Sequence, residues 1–478
     1  MTALHFTRDN EGIDWSGADS AAGARIPFGT VDEVSRHCLR SEEPESVHIE
    51  VHLPGRPDAG RLRAAFGEAL RWHPRILMRE VGGSWHRRRY EWELSQAPDI
   101  EPVECPPSGP DALTQARARA LSDCPSLAKS PPVRLEVVTD KISGEGCVLL
   151  LTFHHTALDV MSCLRVLATA AELYGGADNS PLQSPVRPPT SARIMGLPTA
   201  ASPWARPARI APIPRPPGAG AGNGLLVTEL SIPNRPPGSP YTVNDQLLVA
   251  TALMVTRWNR LRGSCPSRPI SITVPVDDRP RGLEMPIGNG TRLVEVVIEP
   301  QESAAAEALR SERPGPEAIA RLLRSTAQRT RALKATPRPP LGRGGTLVTT
   351  PVLPVGLRAA MMRGLRRVAA PWTSTVLLSN IGRVPYPFDF GEAGRATAVW
   401  FSAPAHMPRG LTLATVGMGD RLHLALRWSR ALLDDASAPA LARLFEESLA
   451  ITAELDKPRA EGCRAERETN PLAPPTTT

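Results

Sequence analysis

Aromatic side chains make up only 4% of this 478-residue chain, so its cores must rest on Leu, Val, Ile and Ala rather than on packed rings. The seven cysteines (Cys38, Cys105, Cys124, Cys147, Cys163, Cys265 and Cys463) are odd in number and scattered, with no Cys-x-x-Cys pair. That pattern excludes a disulfide framework and a zinc site, and no metal is expected. No apolar run approaches the length of a membrane span. The opening "MTALHFTRDNEGIDW" is polar and lacks the apolar core of a signal peptide, so a cytoplasmic protein without a membrane span is expected. There is no glycine-rich phosphate loop and no dinucleotide fingerprint. Basic runs are not interleaved with aromatics, so nucleic acid is not an expected partner.

What is abundant is apolar aliphatic sequence, at 41% hydrophobic overall, and proline, with 51 residues, many of them clustered. The net charge is +7 and the sequence pI about 9.3, which favours acidic or anionic partners without naming one. The length allows two or three domain-sized units. Proline, alanine, serine and glycine dominate residues 177–223, which read as a linker between an α/β unit at 25–176 and a second at 224–456. Residues 1–24 read as a loose leader and 457–478 as a disordered tail.

Period-2 and period-3.6 patterns alternate through both units. In the first, "SVHIEVHLPG" reads as a strand. Residues 58–74 carry Leu62, Ala65, Phe66, Ala69 and Leu70 at helical spacing behind a capping Asp58. In the second, "TVNDQLLVATALMVTRWNRLRG" is a long helix, and strands are expected at 269–278, 290–299, 374–382, 396–404, 410–419 and 421–429. Helices are further expected at 111–123 in the first unit and at 315–335 and 437–455 in the second.

The stretch "LLLTFHHTALDVMSCLRVL" (149–167) concentrates the chemistry. A nearly all-apolar strand ends in His154 and His155, and Asp159 then opens a helix whose Met161, Leu164, Leu167, Ala171 and Tyr174 share a face. Histidine titrates near neutrality, so one held at the end of a rigid strand can accept and return a proton. The same pattern also arises when Asp159 merely caps the helix and both histidines are ordinary loop residues.

"HHTALDV" resembles the His-His-x-x-x-Asp-Gly motif of the condensation-domain and acyltransferase superfamily. That superfamily includes nonribosomal peptide condensation enzymes, polyketide-associated acyltransferases, wax ester synthases and chloramphenicol acetyltransferase-like enzymes. "LRAAFGEALRWHPRILMR", "YTVNDQLLVATAL", "VPVDDRPR…IGNGTRLVEV" and "LLSNIG" resemble further stretches of it in the same order, over about residues 25–455. The resemblance implies an α/β fold of two chloramphenicol acetyltransferase-like halves, a pseudo-dimer with a central tunnel. It implies transfer of an acyl group from coenzyme A or a phosphopantetheinyl carrier thioester, used as substrate with no tightly bound cofactor, to a small-molecule hydroxyl or amine. His155 would be the base and His154 its support. Asp159 would be structural, paired with Arg279, and Ser379 and Asn380 would position the acceptor or the oxyanion. Asn289 reads as a turn residue. An acyl or peptidyl carrier protein is a further expected partner, a monomer is expected, and specialised metabolism is the implied setting. The alternative is a non-catalytic or repurposed relative: a carrier-docking module, or a cyclisation or rearrangement catalyst. One departure bears on the choice, because the motif glycine is Val160. If the loop needs a positive φ there, valine distorts it; if only small size matters, valine narrows the tunnel.

Overall fold

The strand Cys147–His154 is buried along its whole length, and its two faces are covered by different layers. Leu149, Leu151 and Phe153 enter the main core of the first half. Val148 and Leu150 meet Ala112, Ala116 and Ala120 of helix Ala112–Ser122. A strand covered on both sides has no position at which a polar residue is cheap, which is why it reads as one apolar run. It is the third strand of a five-stranded sheet ordered Ala398–Ser402, Ser46–Leu53, Cys147–His154, Val133–Val138, Val103–Glu104. Helix Ala59–Trp72 starts on Asp58, whose carboxylate accepts from the Arg61 N–H at 2.8 Å, and it packs on helix Val160–Gly175. The latter stops at Gly176, whose φ of 72° glycine adopts without strain.

The second sheet has six strands, ordered Thr291–Ile298, Ile270–Asp277, Val376–Arg383, Leu411–Met418, Arg421–Ser429, Asn223–Ser231. Helices Val243–Leu261, Pro316–Ala335 and Ala438–Ala453 lie on one of its faces and form a second core with Leu411, Leu413, Leu422 and Leu424. The alternate residues Ala414, Val416 and Ala425 face the other way, into the core of the first half. This is the mixed α/β architecture expected. One strand crosses between the halves: Ala398–Ser402 leaves the second half in sequence and pairs antiparallel with Ser46–Leu53 of the first sheet.

The structure, a computed structural model, describes residues 23–139, 146–182, 205–214, 220–264, 268–279, 285–300, 316–335 and 349–453. Most of the leader, much of the linker and the whole tail lie outside these. The described part of the linker differs from a free spacer. Ala208 and Ile210 are buried in the second core. Asn259 accepts from the Ala211 N–H at 2.7 Å and donates to the Arg209 carbonyl at 2.8 Å. An extended proline-rich segment leaves its carbonyls unpaired, so a neighbouring amide can fix it. Two helices, Thr30–His37 and Val355–Ala369, are additional to those the sequence pattern predicts.

Candidate active site

A cavity of about 300 Å³ lies where the halves meet. The helix Thr30–His37 and the His155–Met161 turn wall it on one side, and the sheet segments around Asp277, Leu293 and Ser379 on the other. His155 stands in this wall just past the end of the buried strand. Its backbone N–H donates to the Glu45 carbonyl at 2.8 Å. Its Nδ1 lies 3.0 Å from the Leu158 carbonyl oxygen. A carbonyl can only accept, so Nδ1 carries a proton, and in the neutral ring the lone pair is on Nε2. Nε2 has no protein partner among the described residues.

His154 is different. Its side chain is buried, and its Nδ1 accepts from the Thr156 N–H at 3.2 Å. Burial lowers its pKa to about 4, with Glu45 offsetting part of the effect, so this ring is neutral near pH 7.

Asp159 and Arg279 come together across the two halves. Asp159 caps helix Val160–Gly175 through Oδ1, which accepts from the Ser162 N–H at 2.9 Å. Its Oδ2 accepts from Arg279 Nη2 at 2.6 Å and from the Gly290 N–H at 2.9 Å. Arg279 is satisfied at every nitrogen. Nε and Nη2 fork onto Asp277 at 3.0 and 2.8 Å, and Nη1 reaches the Pro286 carbonyl at 2.9 Å and the Gly288 carbonyl at 3.1 Å. Burial alone would lower the arginine's pKa, but the Asp277 hydrogen bonds and the two carboxylate charges raise it on balance. Gly290 makes room for the guanidinium: a Cβ there would clash with the Arg279 side chain.

Val160 is the first residue of its helix, and the described residues contain one non-glycine at positive φ, Phe388. The backbone at Val160 is therefore unstrained. Its side chain lines the cavity, where it occupies space a glycine would leave open.

Ser379 and Asn380 also line the cavity. Asn380 is committed locally, its Oδ1 accepting from the Gly382 N–H at 2.9 Å and its Nδ2 reaching Asn244 at 3.2 Å. The Ser379 hydroxyl has no protein partner among the described residues. Asn289 is more than a turn residue: its Nδ2 donates to the carbonyls of His155 at 3.0 Å and Thr156 at 2.9 Å, tying the histidine loop to the other half. Glu45, His406 and Arg409 also face the cavity, with His406 Nδ1 3.5 Å from the Glu45 carboxylate. None of the three belongs to a recognisable motif, and no sequence signal points to them. Among the described residues no group of three or more His, Cys, Asp or Glu side chains is placed to hold a metal ion.

Solved structures of similar shape decide the fold. TRI3 trichothecene 15-O-acetyltransferase from Fusarium sporotrichioides matches 92% of this chain and 97% of its own, with a TM-score of 0.61 at 15% identity. The starter condensation domain of rhizomide synthetase RzmA, in complex with C8-CoA and Leu-SNAC, matches with a TM-score of 0.57 at 14% identity, over 92% of this chain and 95% of its own. The condensation domain from Monacolin K polyketide synthase MokA matches with a TM-score of 0.55 at 13% identity, over 91% and 98%. The chain has the condensation-domain, chloramphenicol acetyltransferase-like fold.

No protein-family model matches the chain. In sequence it is similar to an uncharacterized protein of Mycobacterium tuberculosis strain H37Rv, 29% identical over 435 residues, 84% of this chain and 94% of that one. A probable non-canonical nonribosomal peptide synthetase, CymA, of Salinispora arenicola is 32% identical over 168 residues, 33% of this chain and 2% of that protein. Within this condensation fold the histidine turn sits where both sheets can wall it, and no helix among the described residues is long and apolar enough to cross a membrane.

Proposed function

We propose that this chain transfers an acyl group from a thioester, carried by coenzyme A or by a carrier protein, to a hydroxyl or amine acceptor. The observation that carries the reading is His155: its Nδ1 is taken up by the Leu158 carbonyl, its Nε2 has no protein partner among the described residues, and the residue lines a cavity bounded by both halves. Nε2 takes the proton of the attacking oxygen or nitrogen as the new bond forms to the thioester carbonyl. The tetrahedral oxyanion is met by the free Ser379 hydroxyl, the better placed of the two candidate donors because the Asn380 amide is already held by Gly382 and Asn244. The imidazolium then returns the proton to the departing thiolate. Asp159, Arg279 and Asn289 touch no reacting atom in this scheme; they position the loop. The division into halves at 25–176 and 224–456, joined by 177–223, is the frame of the same proposal.

The test is release of free thiol from a panel of acyl thioesters offered with amines and alcohols. The wild type should turn over at least one pair, and His155→Ala, folded by circular dichroism, should lose about 10²–10⁴-fold. His154→Ala should lose less at equal foldedness. Equal turnover by His155→Ala and the wild type would remove the base assignment. A wild type inert across the panel would favour the carrier-docking reading instead.

A further inference from the structure

Two basic runs stand out in the sequence, residues 86–90 ("HRRRY") and 363–367 ("RGLRR"), and the fold brings them to one face. The Val355 N–H donates to the Arg87 carbonyl at 2.8 Å and the Gly356 N–H to the Trp85 carbonyl at 2.9 Å. Beneath them Arg358 is buried, paired with Glu33 at 2.8 Å and donating to the Arg88 and Thr350 carbonyls. Helix Val355–Ala369 is thus held by Val355, Arg358 and Ala359 on its inner side.

Its outer side is apolar and uncovered. Leu357, Met361, Leu365 and Val368 recur at i, i+4, i+8 and i+11, one stripe of a helix, and all four are exposed. Val352 and Leu353 continue the stripe before the helix. Trp85 stands beside it, 71% exposed. Seven of the twelve exposed large hydrophobic side chains among the described residues gather on this one face. Around them lie exposed Arg88, Arg89, Arg363 and Arg367. From residue 318 to residue 388 the sequence holds twelve Arg and Lys and no Asp or Glu.

A monomeric soluble protein rarely leaves so large a contiguous apolar patch bare. An aliphatic stripe with an indole at its side and arginines on its flanks is the composition of a helix that lies in the plane of a bilayer interface. The acid-free flank adds attraction to anionic headgroups without any opposing carboxylate in that segment. We propose that helix Val355–Ala369, together with Trp85, is an interfacial binding face for an anionic lipid surface. The face adjoins the cavity: Arg366 donates to the Cys38 carbonyl at 3.2 Å and to the Met407 carbonyl at 3.4 Å, and Cys38 lines the cavity wall. The proposal does not depend on the catalytic reading.

The experiment is co-sedimentation of the full chain with phosphatidylglycerol/phosphatidylcholine vesicles and with pure phosphatidylcholine vesicles. Binding to the anionic vesicles should exceed binding to the neutral ones by about tenfold or more and weaken at high salt. The variant Leu357→Gln/Met361→Gln/Leu365→Gln and the variant Arg363→Glu/Arg367→Glu should each lose about tenfold or more in partitioning. Both should keep the wild-type melting temperature, because the substituted side chains are exposed. A wild type that stays in the supernatant with both vesicles overturns the proposal, as do variants that bind like the wild type. A wild-type dimer in velocity sedimentation that the glutamine variant dissolves, without vesicle binding, would make the face a self-contact and overturn it too. So would indifference to vesicles combined with capture of a purified acidic carrier protein through the same residues.

Discussion

Arg279, behind the cavity wall, and Arg409, in it, are held in opposite ways. Arg279 sits behind Asp159 and Asp277, donates from all three nitrogens, and its pKa is raised. Arg409 lines the cavity itself and, among the described residues, donates only to hydroxyls, to Ser374 at 2.9 Å and to Thr273 at 3.4 Å. Burial lowers its pKa to about 10, with the Glu295 charge offsetting part of the loss. The first region is a closed electrostatic unit that bolts helix Val160–Gly175 to the strand Ile270–Asp277. The second leaves a charge uncommitted. Burial of an arginine therefore says little about its contribution; the acceptors around it decide.

The largest test of this contrast removes one partner of the closed unit. Asp159→Ala leaves Arg279 short of one carboxylate and should cost about 3–5 kcal/mol in denaturant unfolding, with Arg279→Ala similar. The double variant should lose less than the sum, with a coupling of about 0.5–3 kcal/mol; strictly additive losses would mean the contact contributes nothing of its own.

Acidification adds charge instead of removing it. The folded His154 has a pKa of about 4 against an ordinary 6.5, so between these values the unfolded chain binds the extra proton. Stability is therefore retained above pH 6.5 and lost as pH falls toward 4, by about 3 kcal/mol at most from this residue. His73, also lowered by burial to about 4, acts in the same direction. Unfolding measured from about pH 7 to pH 4 should show the loss, and His154→Gln should flatten it. An unchanged slope in that variant would place the acid sensitivity elsewhere.

Arg409→Met should be mild by comparison, less than about 1.5 kcal/mol, because it removes a desolvated charge and leaves Thr273 and Ser374 bonded to each other at 2.6 Å. A loss matching that of Asp159→Ala would erase the contrast between the two walls. The smallest expected effect is Val160→Gly, about 0.5 kcal/mol from helix propensity. If Val160, which lines the cavity, acts by size, the variant should keep or widen turnover of bulkier acyl thioesters. An inert wild type beside an active Val160→Gly would instead mark the natural site as degenerate.

Local rules are written in adjacent residues, so the Asp58 and Asp159 caps, the Gly176 stop and the doubly covered strand 147–154 are legible in the sequence alone. The pairing of Asp159 with Arg279, 120 residues apart, is legible only through the motif resemblance. Asn289 is not, because a Gly-Asn-Gly run looks like a turn and its contacts to His155 and Thr156 depend on how the halves close. Glu45, His406 and Arg409 are hidden for the same reason. The helix Val355–Ala369 escapes because its apolar residues lie on the outside, where the usual link between an apolar stripe and a buried face does not hold.

The crossing strand Ala398–Ser402 has a consequence for any attempt to take the protein apart. Five residues from the second half supply the edge of the first half's sheet, alongside Ser46–Leu53. A gene divided in the proline-rich segment would yield a first fragment with a raw, apolar sheet edge and a second carrying an orphan strand, a pair primed to aggregate unless made together. In the intact molecule the same strand is a tether: the walls of the cavity can breathe about it, but they cannot swing fully apart without unzipping a sheet.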